Sequence, residues 1–392
     1  SPEAWLASES FYQSLSSNIA ASGQLTWDTP IEGFSLSGKM GLNYYTGYYK
    51  SFWAETVFDE NKTVGPATLD ITSENNLYKI FELLARYNKN LGKHQIGFLA
   101  GSSIEEANNR SLNGGRNTFP NNNLYELEAG SASTSSNGSN WNSYALASFF
   151  GRVNYSWNDR YLLEANVRYD GSSRFSPDSR WGAFPSFSLG WRLSEEYFMA
   201  GTKDYLSNLK LRLSYGKSGN NRTSDYAWQG TYGTAPVVID GKQTMGLAVS
   251  KIGNNYLEWE STKALNVGLD FGFFDNRLTG EVEYYNKNTT GILFTPSIYM
   301  TMGFKTAATE NIAEVNNKGL EVSIKWNSHI HDFCYSLGGN FSYNKNRVEK
   351  YKGALQKYWG EDGQYVNNFA EVSENGFGGR IAEGYMLGET YI

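Results

Sequence analysis

The feature that most constrains this chain is period-two alternation held over unusually long segments. Between 149 and 170 the odd positions are Phe149, Gly151, Val153, Tyr155, Trp157, Tyr161, Leu163, Ala165, Val167 and Tyr169, none of them charged. The even positions include Arg152, Asn154, Ser156, Glu164, Asn166, Arg168 and Asp170, and Asn158-Asp159-Arg160 separates the two halves. Successive β-residues point to opposite faces, so this segment predicts a hairpin with one apolar and one polar face. The same pattern recurs at 34–44, 209–215, 265–273, 278–284, 320–326 and 333–343.

The predicted strands lie near 17–28, 33–46, 75–89, 93–105, 143–158, 160–171, 181–194, 207–217, 258–274, 277–289, 317–328 and 332–346. Many run ten residues or more, whereas soluble strands average about five or six and tilted membrane strands need about 9–11. Aromatics sit at the ends of the apolar stripes (Tyr44, Trp157, Tyr161, Tyr215, Phe273, Trp326 and Phe333), where interfacial girdles fall. Short turns near 28–33, 89–94, 158–160, 274–277 and 328–332 alternate with long polar loops near 46–75, 104–143, 217–257 and 289–316, and from 345 on. The 195–207 connection is intermediate and belongs with the short side; 171–180 is brief but belongs with the long side. Short periplasmic turns and long extracellular loops characterise outer-membrane barrels. The expectation is an all-β chain, a transmembrane antiparallel β-barrel with about twelve strands here; a soluble β-protein is the alternative that alternation also allows. Segments 47–75 and 225–240 have room for further strands outside the membrane, and 130–143 reads as a flexible surface loop.

Composition is compatible with this. Mean hydropathy is −0.52 and no run of about 18 apolar residues occurs, but a barrel wall shows lipid only every second residue. Aromatics make up 16%, which excludes a disordered chain. A single cysteine excludes a disulfide framework, and a net charge of −6 argues against a nucleic-acid partner. The chain begins at Ser1 without a signal-peptide pattern, which suggests a mature chain or an excised piece.

Charges on the polar phase must face inward, because lipid exposure at mid-depth costs several kcal/mol (about 2–4). The lumen- or plug-facing candidates are therefore Arg152, Glu164, Arg168, Arg192, Lys210, Arg212, Glu281 and Glu283, accompanied by Asp270, Glu321 and Lys325. Mutual ion pairing across strands is the competing reading. Loop aromatics Tyr48, Trp53, Trp141, Tyr226, Trp228 and Trp259 are candidates for contact with a substrate or a lid, with packing inside the loops as the alternative. Catalysis is not expected: His94, His329 and His331 fall at short turns without a partner nucleophile, and no cofactor or metal is called for. Carboxylates Asp59, Glu60, Asp70, Asp225 and Asp240 lack EF-hand spacing and read as solvated, with calcium binding as the alternative. The sequons at Asn61, Asn109 and Asn288 are uninformative. Cys334 reads as a small wall side chain, and Gly171 with Asp170 marks a tight strand exit.

Several stretches resemble one family: FFGRVNYSWNDRYLLEANVRYDGSSRF (149–175), WGAFPSFSLGWRLSEEYF (181–198), LKLRLSYGKSGN (209–220), LEWESTKALNVGLDFGFFDNRLTGEVEYYNKNTTGIL (257–293) and NKGLEVSIKWN (317–327). They are similar to the SusC/RagA-type TonB-dependent transporters of the Bacteroidetes outer membrane. The resemblance implies a plug domain, a TonB box and a barrel of about 22 strands. It further implies a SusD-like surface lipoprotein as lid, energy from TonB-ExbB-ExbD, import of oligosaccharides or oligopeptides, and a dimer of transporter–lid pairs. Against that pattern, no plug precedes Ser1, and the chain stops at GRIAEGYMLGETYI, similar to the family's stretch before its last strands. The expectation is thus the middle-to-late barrel of a longer importer. A self-contained passive porin or surface adhesin is the alternative, with an outer-membrane hydrolase as a third reading.

Overall fold

The computed structural model describes residues 8–59, 62–296 and 307–352, and the short segments 358–359, 365–366, 370–372, 379–381 and 383–387. Glu60 and Asn61 lie outside the described residues. Twelve strands form one sheet whose order follows the order of the chain. They are β1 (Phe11–Asp28), β2 (Phe34–Trp53), β3 (Thr68–Leu91), β4 (His94–Asn117), β5 (Ser136–Trp157) and β6 (Tyr161–Ser172). There follow β7 (Trp181–Arg192), β8 (Leu206–Asn220), β9 (Glu260–Phe273), β10 (Leu278–Phe294), β11 (Glu310–Ile330) and β12 (Phe333–Tyr351). The chain divides into two compact units, one of Ser1–Thr26, Ser37–Leu83 and Ser103–Leu146, the other of Trp27–Leu36, Leu84–Ser102 and Ala147–Ile392.

In the second unit the antiparallel register fixes which residues share a face. One row runs Leu163, Leu189, Leu213, Val267, Tyr284, Leu320, Tyr343 across β6 to β12. The adjacent row, one residue along, runs Glu164, Ser188, Ser214, Asn266, Tyr285, Gly319, Asn344 and points the other way. The apolar row is not packed against protein: Leu189, Leu213, Val267, Tyr284 and Leu320 are 38–44% exposed. A continuous apolar face of this extent is unstable in water and suits lipid.

Stacked rings bound that face. Trp157, Tyr161 and Trp191 stack at the short-turn end, with centroids 5.4 and 6.2 Å apart. Phe149, Trp181 and Tyr169 stack at the other end, at 6.3 and 4.9 Å. Tyr161 and Tyr169 are eight residues apart on β6, roughly 26 Å of strand, close to the height of an apolar barrel band of about 25 Å before strand tilt is taken into account.

The strands run past their predicted ends on the long-loop side, so several predicted loops shrink. β4 and β5 extend through most of 104–143, β2 and β3 into 46–75, and β10 and β11 into 289–316. The alternation stops at the upper girdle because neither face meets lipid beyond it, yet the ladder hydrogen bonds continue. Within 217–257 an extra hairpin pairs Thr231–Ile239 with Lys242–Lys251. Its Asp240-Gly241 turn has φ of 52° and 74°, the type I′ pair that such a tight hairpin favours. Thr56–Asp59 pairs with Lys62–Val64. The 195–207 connection folds into 3₁₀ turns at Leu193–Glu195 and Tyr197–Thr202. Gly33 combines φ of 82° with the carbonyl of Asn88 at 1.9 Å from where a Cβ would stand, so no other residue fits that turn.

Among the described residues, buried side chains form three small clusters. Phe52, Ala54, Ala67 and Leu69 pack with Phe11, Phe119 and Tyr125 in the first unit. In the second, one cluster centres on Phe175, Ala227 and Leu257, the other on Ile312, Val315, Val348 and Tyr351.

Candidate functional site

Every charged side chain singled out on the polar phase between β6 and β11 lies on the face opposite the apolar row. The row Arg192, Lys210, Asp270, Glu281, Ser323 crosses β7 to β11. The next runs Gly190, Arg212, Gly268, Glu283, Glu321. Arg212 is the hub. Its guanidinium reaches Asp270 at 2.8 Å, Glu283 at 3.1 Å and Glu281 at 3.5 Å. Glycines on both flanks make this possible: a Cβ at Gly268 would stand 2.9 Å from the Arg212 Nη2. The structure therefore joins Arg212, Glu281 and Glu283 into one web.

Arg192 and Lys210 stand outside it. They are direct cross-strand partners of like charge, and neither side chain has a hydrogen bond or ion pair among the described residues. Lys210 and Arg212 border an open groove of about 630 Å³ that Asn88, Gln95, Asn154, Glu164, Ser188 and Ser214 also line. Ile96, Leu162, Leu163, Leu189 and Leu213 line it as well, so the groove mixes polar and apolar groups.

Further along the face, Arg152 Nε donates to Asn166 Oδ1 at 2.7 Å, and Asn166 Nδ2 donates to Glu164 at 2.8 Å. Arg168 donates to Asp170 at 2.7 Å and to Ser148 Oγ at 2.8 Å, and lies 5.4 Å above the Phe150 ring. Arg152 and Glu164 are thus linked through an amide, while Arg168 belongs to a separate group.

Above the upper girdle, residues 172–176 are tied to the connection between β8 and β9 at three points. Arg174 Nε donates to Asp225 at 2.8 Å, Asn221 Nδ2 to Ser172 Oγ at 3.0 Å, and Ser176 Oγ to the Asn255 carbonyl at 2.6 Å. Phe175 is fully buried at the centre of its cluster. Asp225 is accordingly an ion-pair partner rather than a solvated loop carboxylate. Trp259 packs on Phe175 and Phe184 and donates its Nε1 to the Arg180 carbonyl at 2.8 Å. Trp228 packs against the same cluster, with its Nε1 buried and unpartnered among the described residues. Both rings serve the packing of the loops. Tyr226 is exposed, at φ of 58°.

In the first unit Trp141 sits on β5 rather than in a loop, exposed, with Arg110 over its ring at 5.6 Å. Trp53 is exposed at the end of β2, and Tyr48 is half-buried on the same strand. Tyr49, one residue on, stacks on Tyr12 and hydrogen-bonds Tyr45.

Two features escaped the sequence reading. Asn166 was an ordinary even-phase residue, yet it bridges two charged groups. Glu196 collects Arg160 at 2.9 Å, Tyr161 at 2.6 Å and Trp191 Nε1 at 2.9 Å at the short-turn end. Hydrogen bonds from Tyr161 and Trp191 hold its carboxyl below the ordinary range, with Arg160 adding to them. No spacing rule announces such a clamp, because it joins a 3₁₀ turn to two strands. His94 Nδ1 lies 2.7 Å from Tyr155 Oη and its ring stacks on Trp157, an interfacial arrangement. Among the described residues no three His, Cys, Asp or Glu side chains gather as metal ligands.

The model of the family described as TonB dependent receptor-like, beta-barrel matches residues 2–386. TonB-dependent receptor P3 of Formosa agariphila is 32% identical over 322 residues, which is 82% of this chain and 32% of that protein. TonB-dependent receptor SusC of Bacteroides thetaiotaomicron is 35% identical over 258 residues, 63% of this chain and 25% of the relative. The chain therefore spans about a third or less of the length of these relatives. Among solved structures, the RagAB peptide transporter superposes with a TM-score of 0.81 at 25% identity, covering 94% of this chain and 42% of the other.

Proposed function

Since this chain belongs to the TonB-dependent receptor-like β-barrel family of the outer membrane, we propose that it forms the wall and upper loops of a SusC/RagA-type active importer. The cargo is an oligosaccharide or an oligopeptide. A SusD-like surface lipoprotein captures it as a lid, and TonB-ExbB-ExbD supplies the energy through a plug. The observation that carries this reading is the segregation of the two faces in register: an exposed apolar row on one side, the Arg212 web and the unpaired Arg192–Lys210 couple on the other. A polar wall that sets an acid-rich web beside two unpaired basic groups suits a seat for a plug and a hydrated path. The likeness to the RagAB peptide transporter favours the peptide arm. Relatives named as receptors support a non-enzymatic role.

The deciding experiment uses the full-length protein in its own outer membrane. Cells lacking the gene are tested for uptake of labelled oligopeptides and oligosaccharides, with and without an inner-membrane uncoupler. Energy-dependent uptake that vanishes on deletion supports the importer. Uptake that persists in uncoupled cells and follows the concentration gradient marks a passive porin instead.

A further inference from the structure

The lipid-facing side of the sheet carries a second charged feature. Directly above the apolar row that ends in Leu320 and Tyr343 comes the row Leu265, Asn286, Lys318, Lys345. Above that comes the row Lys263, Asn288, Asn316, Arg347. The two rows share the outward parity, and Asn316 Nδ2 donates to Asn286 Oδ1 at 2.7 Å across β10 and β11. Lys318 and Lys345 are direct cross-strand partners. Like charges placed opposite each other destabilise a sheet pair unless an anion sits between them. Lys263, Lys318 and Lys345 are exposed and have no ion pair among the described residues. Among the described residues the one ion-pair partner of Arg347 is Glu349, at 3.9 Å. The rim is thus three basic groups in excess of acid on this face. It lies on the long-connection side, within about two residues, or 7 Å of strand, of side chains that face acyl chains.

We propose that Lys263, Lys318, Lys345 and Arg347 form an anion-binding rim for the phosphate groups of outer-leaflet lipid headgroups. Three facts support a lipid phosphate over a soluble one. The rim adjoins the apolar face, so a single molecule can place acyl chains on Leu320 and Tyr343 and its phosphate between the lysines. Asn286 and Asn316 add neutral hydrogen-bonding groups beside the charges. The rim also faces away from the Arg212 web and its groove, so it has no part in the lumen.

The test uses the full-length protein in detergent with native mass spectrometry. The probes are a phosphorylated lipid A, the same lipid after phosphatase treatment, and inorganic phosphate. The expected result is retention of phosphorylated lipid A, loss of at least tenfold of it in Lys318→Gln/Lys345→Gln, and little retention of the dephosphorylated lipid. Lys318→Gln alone, with heat-modifiable migration on gels as the check on folding, keeps the test valid should the double variant not assemble. Equal retention by wild-type and variant proteins overturns the proposal, as does equal retention of both lipids. Displacement by equimolar inorganic phosphate would assign the rim to soluble anions and overturn the lipid assignment.

Discussion

The two-face reading makes its sharpest prediction at adjacent rows of β6 and β7. Ala165 pairs with Phe187 on the apolar face, while Ser188 pairs with Glu164 on the polar one. Ala165 is four residues from each of Tyr161 and Tyr169, about 13 Å of strand from either ring girdle, and so near mid-depth. Ala165→Lys adds a charge without removing a large apolar group, so its effect isolates the environment. At mid-depth a lysine facing lipid costs about 2–4 kcal/mol, roughly a thirtyfold to several-hundredfold change in the folding equilibrium. Ser188→Lys puts the same side chain on the other face, beside Glu164 and Ser214, where the change should stay within about 0.5 kcal/mol. Denaturant unfolding of the full-length protein in lipid vesicles, followed by tryptophan fluorescence, measures both. If Ser188→Lys destabilised as much as Ala165→Lys, the assignment of faces would be wrong.

Phe175→Ala should empty a fully buried site and cost about 3–5 kcal/mol; faster proteolysis within 221–259 than elsewhere would show the loops losing their anchor. Arg212→Gln leaves Asp270, Glu281 and Glu283 facing one another without their cation, and the hub is only partly covered, so about 1–2 kcal/mol is expected. The double variant with Glu283→Gln should recover part of that loss in thermal melts, and a strictly additive result would dissolve the web into independent pairs. The Glu196 carboxyl is held below its ordinary range by Tyr161 and Trp191, so its stabilising effect is full above the unfolded value and fades as pH falls through the depressed folded one. Acid melts of Glu196→Gln should accordingly lack a step that the native protein shows below about pH 4.5, the ordinary carboxylate value; parallel melting curves would remove the clamp from the account.

Period-two patterning, together with strand length, the ring girdles and the alternation of short turns with long loops, determined the class and the strand count, and from β6 to β12 the face of each wall residue. The physical reason is that lipid contact is decided by parity, and parity is written in the chain. Parity alone puts Leu213 and Arg212 on opposite sides, and the structure places them so. The family resemblance was equally legible, because it rests on several linked motifs such as 149–175 rather than on one short pattern, and relatives of the expected kind are about a third identical.

What the tertiary structure decided begins where parity stops carrying information. Beyond the girdles both faces meet water or other loops, so the extensions of β4, β5, β10 and β11 left no alternating trace. Partner choice also depended on register. Arg212 gathers acids from β9 and β10, 58 and 71 residues away in sequence for Asp270 and Glu283, while Arg192 and Lys210 are left facing each other. As isolated aromatics Trp259 and Trp228 were open to ligand contact or to loop packing; only the fold shows the cluster of two connections and β10 against which both pack. The lysine couple of the outer rim was invisible for the same reason: only the alignment of β11 with β12 brings Lys318 opposite Lys345.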